Sequence, residues 1–432
     1  MSLRPRRAGL AAASASLAAA LAGCASAGPA TQPDAGTPPA GGGGLAPARE
    51  ACLLAAPAEP LADTVRVALL DSVSPAHAPA PTNRSERLVF AQLYEPLLRR
   101  DCTGALRPAL AAEWSAEDSG RTWVLRLREG ARWTDDGVPV TAADVVASLR
   151  GRGIVASALG DRGVAVTPSA SLPRGPALLA DLALAIARPG RGEWPSGTGP
   201  YRLDSTATTA AGPGPPLRWL PRPGGDARDL LDGGADLVVT DDPVALAYAR
   251  ERSALLTIPL PWDRAYALVS SDRGRVAAFT AAERDALAHD AVRVEARAAS
   301  ECTTSAPAPA AEGAVASPAA AAAPSRIVYP RGDRVARDLA ARLVASGRAG
   351  PAGTAVALDS VDIAAALRAG RDAAVLPISS RDLAECRAPG PPGAVVVPLI
   401  QVRPAAVLRR GATPPALDGD GALRWTGREV AP

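Results

Sequence analysis

The chain has 432 residues, among them 43 Pro and 40 Gly, and only 3% of it is aromatic. That length allows two or three domains and a sizeable core. The net charge is only +3, all 47 basic side chains are Arg interspersed with Asp and Glu, and no basic patch alternates with aromatics. Nucleic-acid binding therefore has no support. With His77 and His289 as its only histidines and no closely spaced cysteines, the sequence offers no zinc set either.

The amino terminus reads as an export signal. Arg4, Arg6 and Arg7 form a positive region ahead of residues 8–22, an Ala-rich apolar run too short for a comfortable membrane span. The run ends in Leu21-Ala22-Gly23-Cys24, the pattern of a bacterial lipobox. The small residues let a lipoprotein signal peptidase reach the backbone, and the Cys24 thiol would carry the diacylglycerol. Residues 1–23 are thus expected to be a lipoprotein signal peptide. The Arg6-Arg7 pair hints at twin-arginine export, but Gly9 stands where that signal wants a large apolar residue, which favours general secretion. Residues 24–60, with Gly41 to Gly44 in a row, cannot bury enough surface to fold and read as a flexible tether. The expectation is a body held by lipid on the periplasmic or cell-surface face of a membrane. Cys52, Cys102, Cys302 and Cys386 remain, an even set in an oxidising compartment that allows three pairings.

Residues 63–70 (DTVRVALL) alternate as a first strand does. A loop at 71–82 leads to a helix starting at Asn83 or Ser85, with Leu88, Val89, Leu93 and Leu97 as its apolar stripe and Pro96 closing it. Extended segments at 97–100 and 105–107 flank a turn at 101–104. After a turn at 117–120, residues 122–128 place Trp123, Leu125 and Leu127 on one face. Thr141 and Asp144 are spaced as a capping box for a helix running to about Arg150, with Val140 and Val145 placed as its hydrophobic staple. Further on, 227–236 reads as a short helix, 262–268 as a strand, 279–293 as a helix, 327–343 as a strand and helix, and 373–377 as a buried strand. Residues 303–324 are Ala, Pro and Ser, a composition of disordered loops.

Several of these stretches form an ordered block: Tyr94-Glu95-Pro96-Leu97, Asp101 with Gly104, and 108–114 (PALAAEW). Then come 119–123 (SGRTW), 127–133 (LREGARW), Asp136-Gly137 and 140–146 (VTAADVV), and Gly197-Thr198-Gly199-Pro200-Tyr201 stands further along. In order and spacing this chain resembles the family 5 extracellular solute-binding proteins, the peptide/nickel type that serve ABC transporters. The resemblance implies an α/β, two-lobed periplasmic-binding-protein-like fold of type II, with an enlarged first lobe and hinge-crossing strands. On that reading residues 61–268 form the N-terminal lobe and 269–402 the C-terminal lobe, with 303–324 as a disordered loop within it, while 403–432 return to the first lobe. It also implies a binding protein rather than an enzyme, with no cofactor. The partners would be a small solute, peptide first, and an ABC permease in the inner membrane. Within-lobe pairing favours Cys52–Cys102 and Cys302–Cys386.

Ligands of such proteins sit where the domains meet. The loops expected there offer Ser72 and Ser74 after the first strand, Thr198 and Tyr201 in the Gly-rich turn, and Trp262, Asp263, Arg264 and Tyr266 at the crossover. Arg381 and Asp382 follow the late strand. The glycines at 197 and 199 would let backbone approach a ligand closely. Trp114, Trp123, Trp133 and Tyr94 read instead as core. No nucleophile elbow, zinc-protease or P-loop motif occurs, and Asp135-Asp136 and Asp241-Asp242 lie where turns and helix starts use Asp anyway. The rival to a transport receptor is a degenerate surface lipoprotein that keeps the scaffold for structural or protein contacts.

Overall fold

The computed structural model describes residues 52–55, 64–169, 175–190, 192–271, 276, 278–290, 295–300, 324–379 and 394–425. Cys24, the 1–23 segment, Arg381, Asp382, Cys302 and Cys386 lie outside them, as does the 303–324 segment apart from Pro324.

Strand β1 (Val65–Leu69) is apolar on both faces: Val65, Val67 and Leu69 enter one core and Ala68 another. Such two-sided burial is typical of a parallel strand covered on both sides. Helix α1 (Arg84–Leu93) starts at Asn83, whose side chain accepts from the Glu86 N–H. From Ser85 to Leu93 every residue but Arg87 is buried. The polar ones are satisfied internally: Gln92 donates to the Leu88 and Leu423 carbonyls and accepts from the Trp425 N–H. The helix stops at Leu93, and Leu97, expected on its stripe, packs in a different core.

That second core lies in the enlarged part of the first lobe. After the hairpin of β2 (Leu98–Arg100) and β3 (Leu106–Pro108) come β4 (Ala111–Glu117) and β5 (Thr122–Leu127). With β6 (Ile154–Leu159) and β7 (Gly163–Pro168) they make an antiparallel sheet ordered β4-β5-β7-β6. Helix α2 (Ala142–Leu149) opens with the full capping box, Thr141 and Asp144 each bonding the other's backbone N–H. Trp133 is buried in this core, and Trp114 and Trp123 pack against it. The stretch between Leu149 and Gly197, bare of signals in the sequence, holds the β6–β7 hairpin.

The pair β8 (Ala187–Arg188) and β9 (Ser196–Gly197) leads back to the main sheet. There β10 (Arg202–Leu203), β11 (Thr209–Ala211) and β12 (Leu217–Pro221) precede α3 (Ala227–Asp232), β13 (Leu237–Thr240), α4 (Pro243–Arg250) and β14 (Leu255–Pro259). Strand β1 runs parallel to both β12 and β13. The chain then crosses to a second, six-stranded sheet. It comprises β15 (Arg264–Ser270), β16 (Ala296–Ala298), β17 (Arg326–Pro330), β18 (Thr354–Leu358), β19 (Ala373–Ser379) and β20 (Val395–Val402), in the order β16-β20-β15-β19-β17-β18. Helices α5 (Ala281–Asp290), α6 (Arg334–Ala345) and α7 (Ser360–Ala369) belong to this lobe. Strand β21 (Ala405–Arg409) recrosses and inserts between β13 and β14 in the first sheet. Strands β22 (Ala416–Leu417) and β23 (Leu423–Arg424) pair beside it in sequence, and Trp425 is buried in the first-lobe core.

One expected boundary moves. Strand β15, assigned by sequence to the end of a 61–268 lobe, lies inside the second sheet between β20 and β19, so the first crossing falls at residues 260–263. A disulfide joins Cys52 to Cys102. It ties the 52–55 segment to the β2–β3 turn, and Leu54 and Leu417 complete the junction through backbone bonds to Pro415 and Cys52. Among the described residues no helix is long and apolar enough to cross a membrane.

Candidate functional site at the lobe crossing

The two crossings run side by side: the Leu260 N–H donates to the Pro404 carbonyl at 2.9 Å. Around them charged groups converge from three elements of the first lobe and two of the second. Arg84, the first residue of α1, reaches Asp241 just past β13 (Nη1–Oδ2 2.6 Å) and grips Asp263 in the crossing with two bonds (Nε–Oδ2 3.1 Å, Nη2–Oδ1 3.3 Å). A cation in the first turn of a helix opposes the macrodipole, so Arg84 is tolerable there only because two carboxylates face it. Its side chain is 15% exposed, against 28% and 29% for Asp241 and Asp263. Burial disfavours the Arg84 charge, but both carboxylates outweigh it and hold the guanidinium firmly protonated. Burial likewise works against ionised Asp241, and Arg84 reverses that, holding its carboxyl below the ordinary value.

Arg264 begins β15. Burial and repulsion from Arg84 oppose its charge, and Tyr266 and Asp241 restore it, with a net upward shift. The buried Tyr266 hydroxyl donates to Asp333 (3.1 and 3.2 Å), the N-cap of α6, and burial pushes the phenol upward. Next to it, Arg334 at the start of α6 reaches Asp242, the N-cap of α4, at 3.5 Å; this ion pair spans the two lobes. The guanidiniums of Arg297 (4.4 Å from the ring centroid) and Arg403 (4.8 Å) both lie over the Trp262 ring. Arg297 is bonded to Gln401 and Arg403 to Glu295. Beside Arg84 and Asp263 lies a hollow of about 30 Å³, floored by Leu88, Val239 and Leu260.

The structure therefore brings Asp263, Arg264 and Tyr266 together, with Trp262 adjacent. It separates the other candidates from them. Thr198 and Tyr201 are core residues, 4% and 1% exposed, and the Tyr201 hydroxyl donates to the Pro215 carbonyl. The glycines on either side of Thr198 approach α1, not a cleft. A Cβ at Gly197 would stand 2.0 Å from the Leu93 carbonyl oxygen, and one at Gly199 would stand 2.4 Å from that of Gln92. Ser74 gives its N–H to buried Glu86, whose carboxylate also gathers Thr82 and His77 and pins the 71–82 loop. Despite burial, these bonds hold the Glu86 carboxyl below its usual value. Ser72 borders a separate pocket in the first lobe.

Sequence reasoning missed Arg84, Asp333 and the cross-lobe Arg334–Asp242 pair. A signal for Arg84 existed: an arginine directly after an Asn N-cap is electrostatically misplaced unless acids await it. Asp242 is indeed a helix cap, accepting from the Val244 N–H, but its neighbour Asp241 is a partner of Arg84. The other paired carboxylates, Asp135 and Asp136, both bind Arg188.

Residues 105–210 match the family model for bacterial extracellular solute-binding proteins, family 5 Middle. A putative binding protein of Haemophilus influenzae is 46% identical over 60 residues, 14% of this chain and 11% of that protein. A probable peptide ABC transporter periplasmic-binding protein of Sinorhizobium fredii is 37% identical over 89 residues, 20% of this chain and 16% of that protein. The chain thus spans less than a fifth of the length of these curated relatives in alignable sequence. Over its fold it is similar to NikA from Brucella suis in complex with Fe(III)-EDTA, with a TM-score of 0.59 and 17% identity, covering 84% of this chain and 100% of that one. It is also similar to the Escherichia coli murein tripeptide binding protein MppA, with a TM-score of 0.56 and 13% identity, covering 80% and 94%. At these identities the structural likeness is one of fold. Residues 105–210 are thus similar to the family 5 extracellular solute-binding proteins, and the chain as a whole shares the two-lobed α/β fold of the solved structures.

Proposed function

We propose that this chain is the lipid-anchored, extracytoplasmic solute-binding component of an ABC importer, taking a peptide or similar small polar solute between its lobes. Export would use the 1–23 signal, Cys24 would carry the lipid, and residues 24–60 would tether the body; an inner-membrane permease would receive the solute. The first lobe would run from residue 61 to the crossing at 260–263 and be completed by 403–432, and the second would run from 264 to 402. Cys302–Cys386 would be the second disulfide, and Arg381 with Asp382 would lie near the cleft. The observation that carries this reading is the convergence of Arg84, Asp241, Asp263, Arg264, Tyr266 and Asp333 at the lobe crossing, charges of both signs where hinge closure would enclose a polar solute. Relatives named as peptide and oligopeptide binding proteins support the solute class.

The test is a thermal-shift screen of the exported protein against pools of di- to pentapeptides and oligosaccharides. A bound solute at a hundred times its Kd should stabilise by about 2.7 kcal/mol. A flat response to every pool counts against the receptor reading. One observation favours the rival reading of a surface lipoprotein with a structural role: Arg84, Asp241 and Asp263 already satisfy one another, around a hollow of only about 30 Å³. Anchoring is tested separately, by incorporation of a labelled fatty acid that Cys24→Ser abolishes.

A further inference from the structure

A second hollow lies away from the lobe crossing. A pocket of about 200 Å³ opens at the carboxyl ends of the parallel strands β1 and β12, where Leu69 and Pro221 are paired in register. Open α/β sheets bind ligands outside the carboxyl ends of their parallel strands. The floor is apolar: Leu69, Val89 and Trp219 are buried, and Trp194, half-buried, forms a wall braced edge-on against Phe90 at 6.2 Å.

Among the described lining residues the one ionisable side chain is Asp71, and Ser85 holds it in place. Its carboxylate accepts from the Ser85 N–H (3.3 Å) and hydroxyl (3.2 Å). Both donors are neutral, so the carboxylate's charge is oriented rather than cancelled, and an anionic ligand would be buried beside a like charge.

Its rim is built stiff. Ala207, which borders the pocket, is held at a φ of +54°, in the region that L residues avoid. The strain is maintained by the Asp204 carboxylate, which gathers the Thr208 and Thr209 N–H groups and the Thr206 hydroxyl, and by the Ala207 N–H bond to the Asp204 carbonyl. Strained backbone that its surroundings over-determine marks functional loops more often than passive ones. On volume, an apolar cavity of about 150 Å³ takes benzene, so this one has room for a substituted ring.

We propose that this pocket is a binding site for an aromatic ring that carries no negative charge, seated in the first lobe. It stands apart from the reading of the lobe crossing, since none of its lining residues comes from the second lobe.

The experiment uses the exported protein and ligand-observed saturation-transfer NMR with three probes of one size: p-cresol, benzoate and benzylammonium. p-Cresol should show saturable binding, with benzoate at least about tenfold weaker than both p-cresol and benzylammonium, in keeping with the cost of burying an anion beside a like charge. Thr208→Trp, an exposed rim substitution that fills the mouth, should abolish p-cresol binding without changing the thermal midpoint. Trp194→Ala, which removes a wall, should weaken it several-fold. No saturation with p-cresol, benzoate binding as tightly as either other probe, or p-cresol binding that survives Thr208→Trp each overturns the proposal. Peptide-induced stabilisation without p-cresol binding would remove this site and leave the lobe-crossing reading standing; the reverse result would do the opposite.

Discussion

Replacing Gly197 by alanine tests whether the Gly-Thr-Gly-Pro-Tyr block is architecture or ligand site. An added Cβ would sit 2.0 Å from the Leu93 carbonyl oxygen and 2.7 Å from Tyr94 Cδ1. The first of these is backbone, so no rotamer change can relieve it. The strand must back away from the end of α1, and that endangers the bonds that dock it there. These are Gly199 N–H to the Leu93 carbonyl (2.9 Å), Tyr201 N–H to the Gln92 carbonyl (3.1 Å) and Thr134 N–H to the Gly197 carbonyl (3.0 Å). Overpacking alone costs about 1–3 kcal/mol, and each lost bond adds about 1 kcal/mol. A destabilisation of about 3 kcal/mol is expected. Urea unfolding followed by tryptophan fluorescence measures it, since Trp133 and Trp194 flank the junction. Gly192→Ala is the control: a Cβ there meets nothing within 4 Å, and its effect should stay within about 0.5 kcal/mol. If Gly197→Ala is as mild as the control, or if it abolishes solute binding while leaving stability intact, the docking argument is wrong.

Two further outcomes are expected. Asp101 is held down to about 2: burial opposes its charge, but Thr103, Arg107 and Ala105 all donate to it. A depressed carboxyl contributes stability that is full above its unfolded value near 4 and is lost as pH falls toward 2. Asp101→Asn should therefore cost about 2 kcal/mol at pH 7, with the gap to wild type closing between pH 4 and 2 in acid-unfolding curves; a gap that persists at pH 2 refutes it. Arg84→Met keeps bulk but strands Asp241 and Asp263 without their cation. It should cost about 2 kcal/mol at neutral pH. Because Asp241 is held below its ordinary value by Arg84, the deficit should shrink as Asp241 protonates below about pH 4, and a deficit unchanged at pH 3 would sink the account.

Much of the scaffold was legible because its signals are local. Thr141 and Asp144 specify a helix start by spacing alone, and the structure forms both bonds of the box. Strand β1 and the β2–β3 turn follow from periodicity and turn chemistry in the same way, and the core role of the three tryptophans of the enlarged lobe from the resemblance their block carries. The crossing was legible only in part. Asp263, Arg264 and Tyr266 came from the run that leads between the lobes, whereas Arg84 and Asp333 join them across separations of 179 and 67 residues. No short-range pattern encodes such meetings. The lobe boundary was misplaced for a related reason: β15 is as apolar as any first-lobe strand, and only its pairing with β19 and β20 reveals its sheet. Thr198 and Tyr201 misled because a glycine needed for close approach looks the same whether the neighbour is a solute or a helix end.

Arg84 joins these levels. Its place at the head of α1 sets a cation against the helix dipole, and Asp241 and Asp263 remove that conflict while linking α1 to the first crossing. A solute that binds among these groups competes with partners already in place, so its affinity is a difference between two ionic arrangements. A ligand carrying one charge would displace one partner and leave another orphaned in a site less than a third exposed, at a cost of several kcal/mol. A ligand carrying both charges exchanges pair for pair. The same paired state that supports the structural rival is thus also what a selective receptor for a doubly charged solute requires at rest, which is why the peptide pools decide between the two readings.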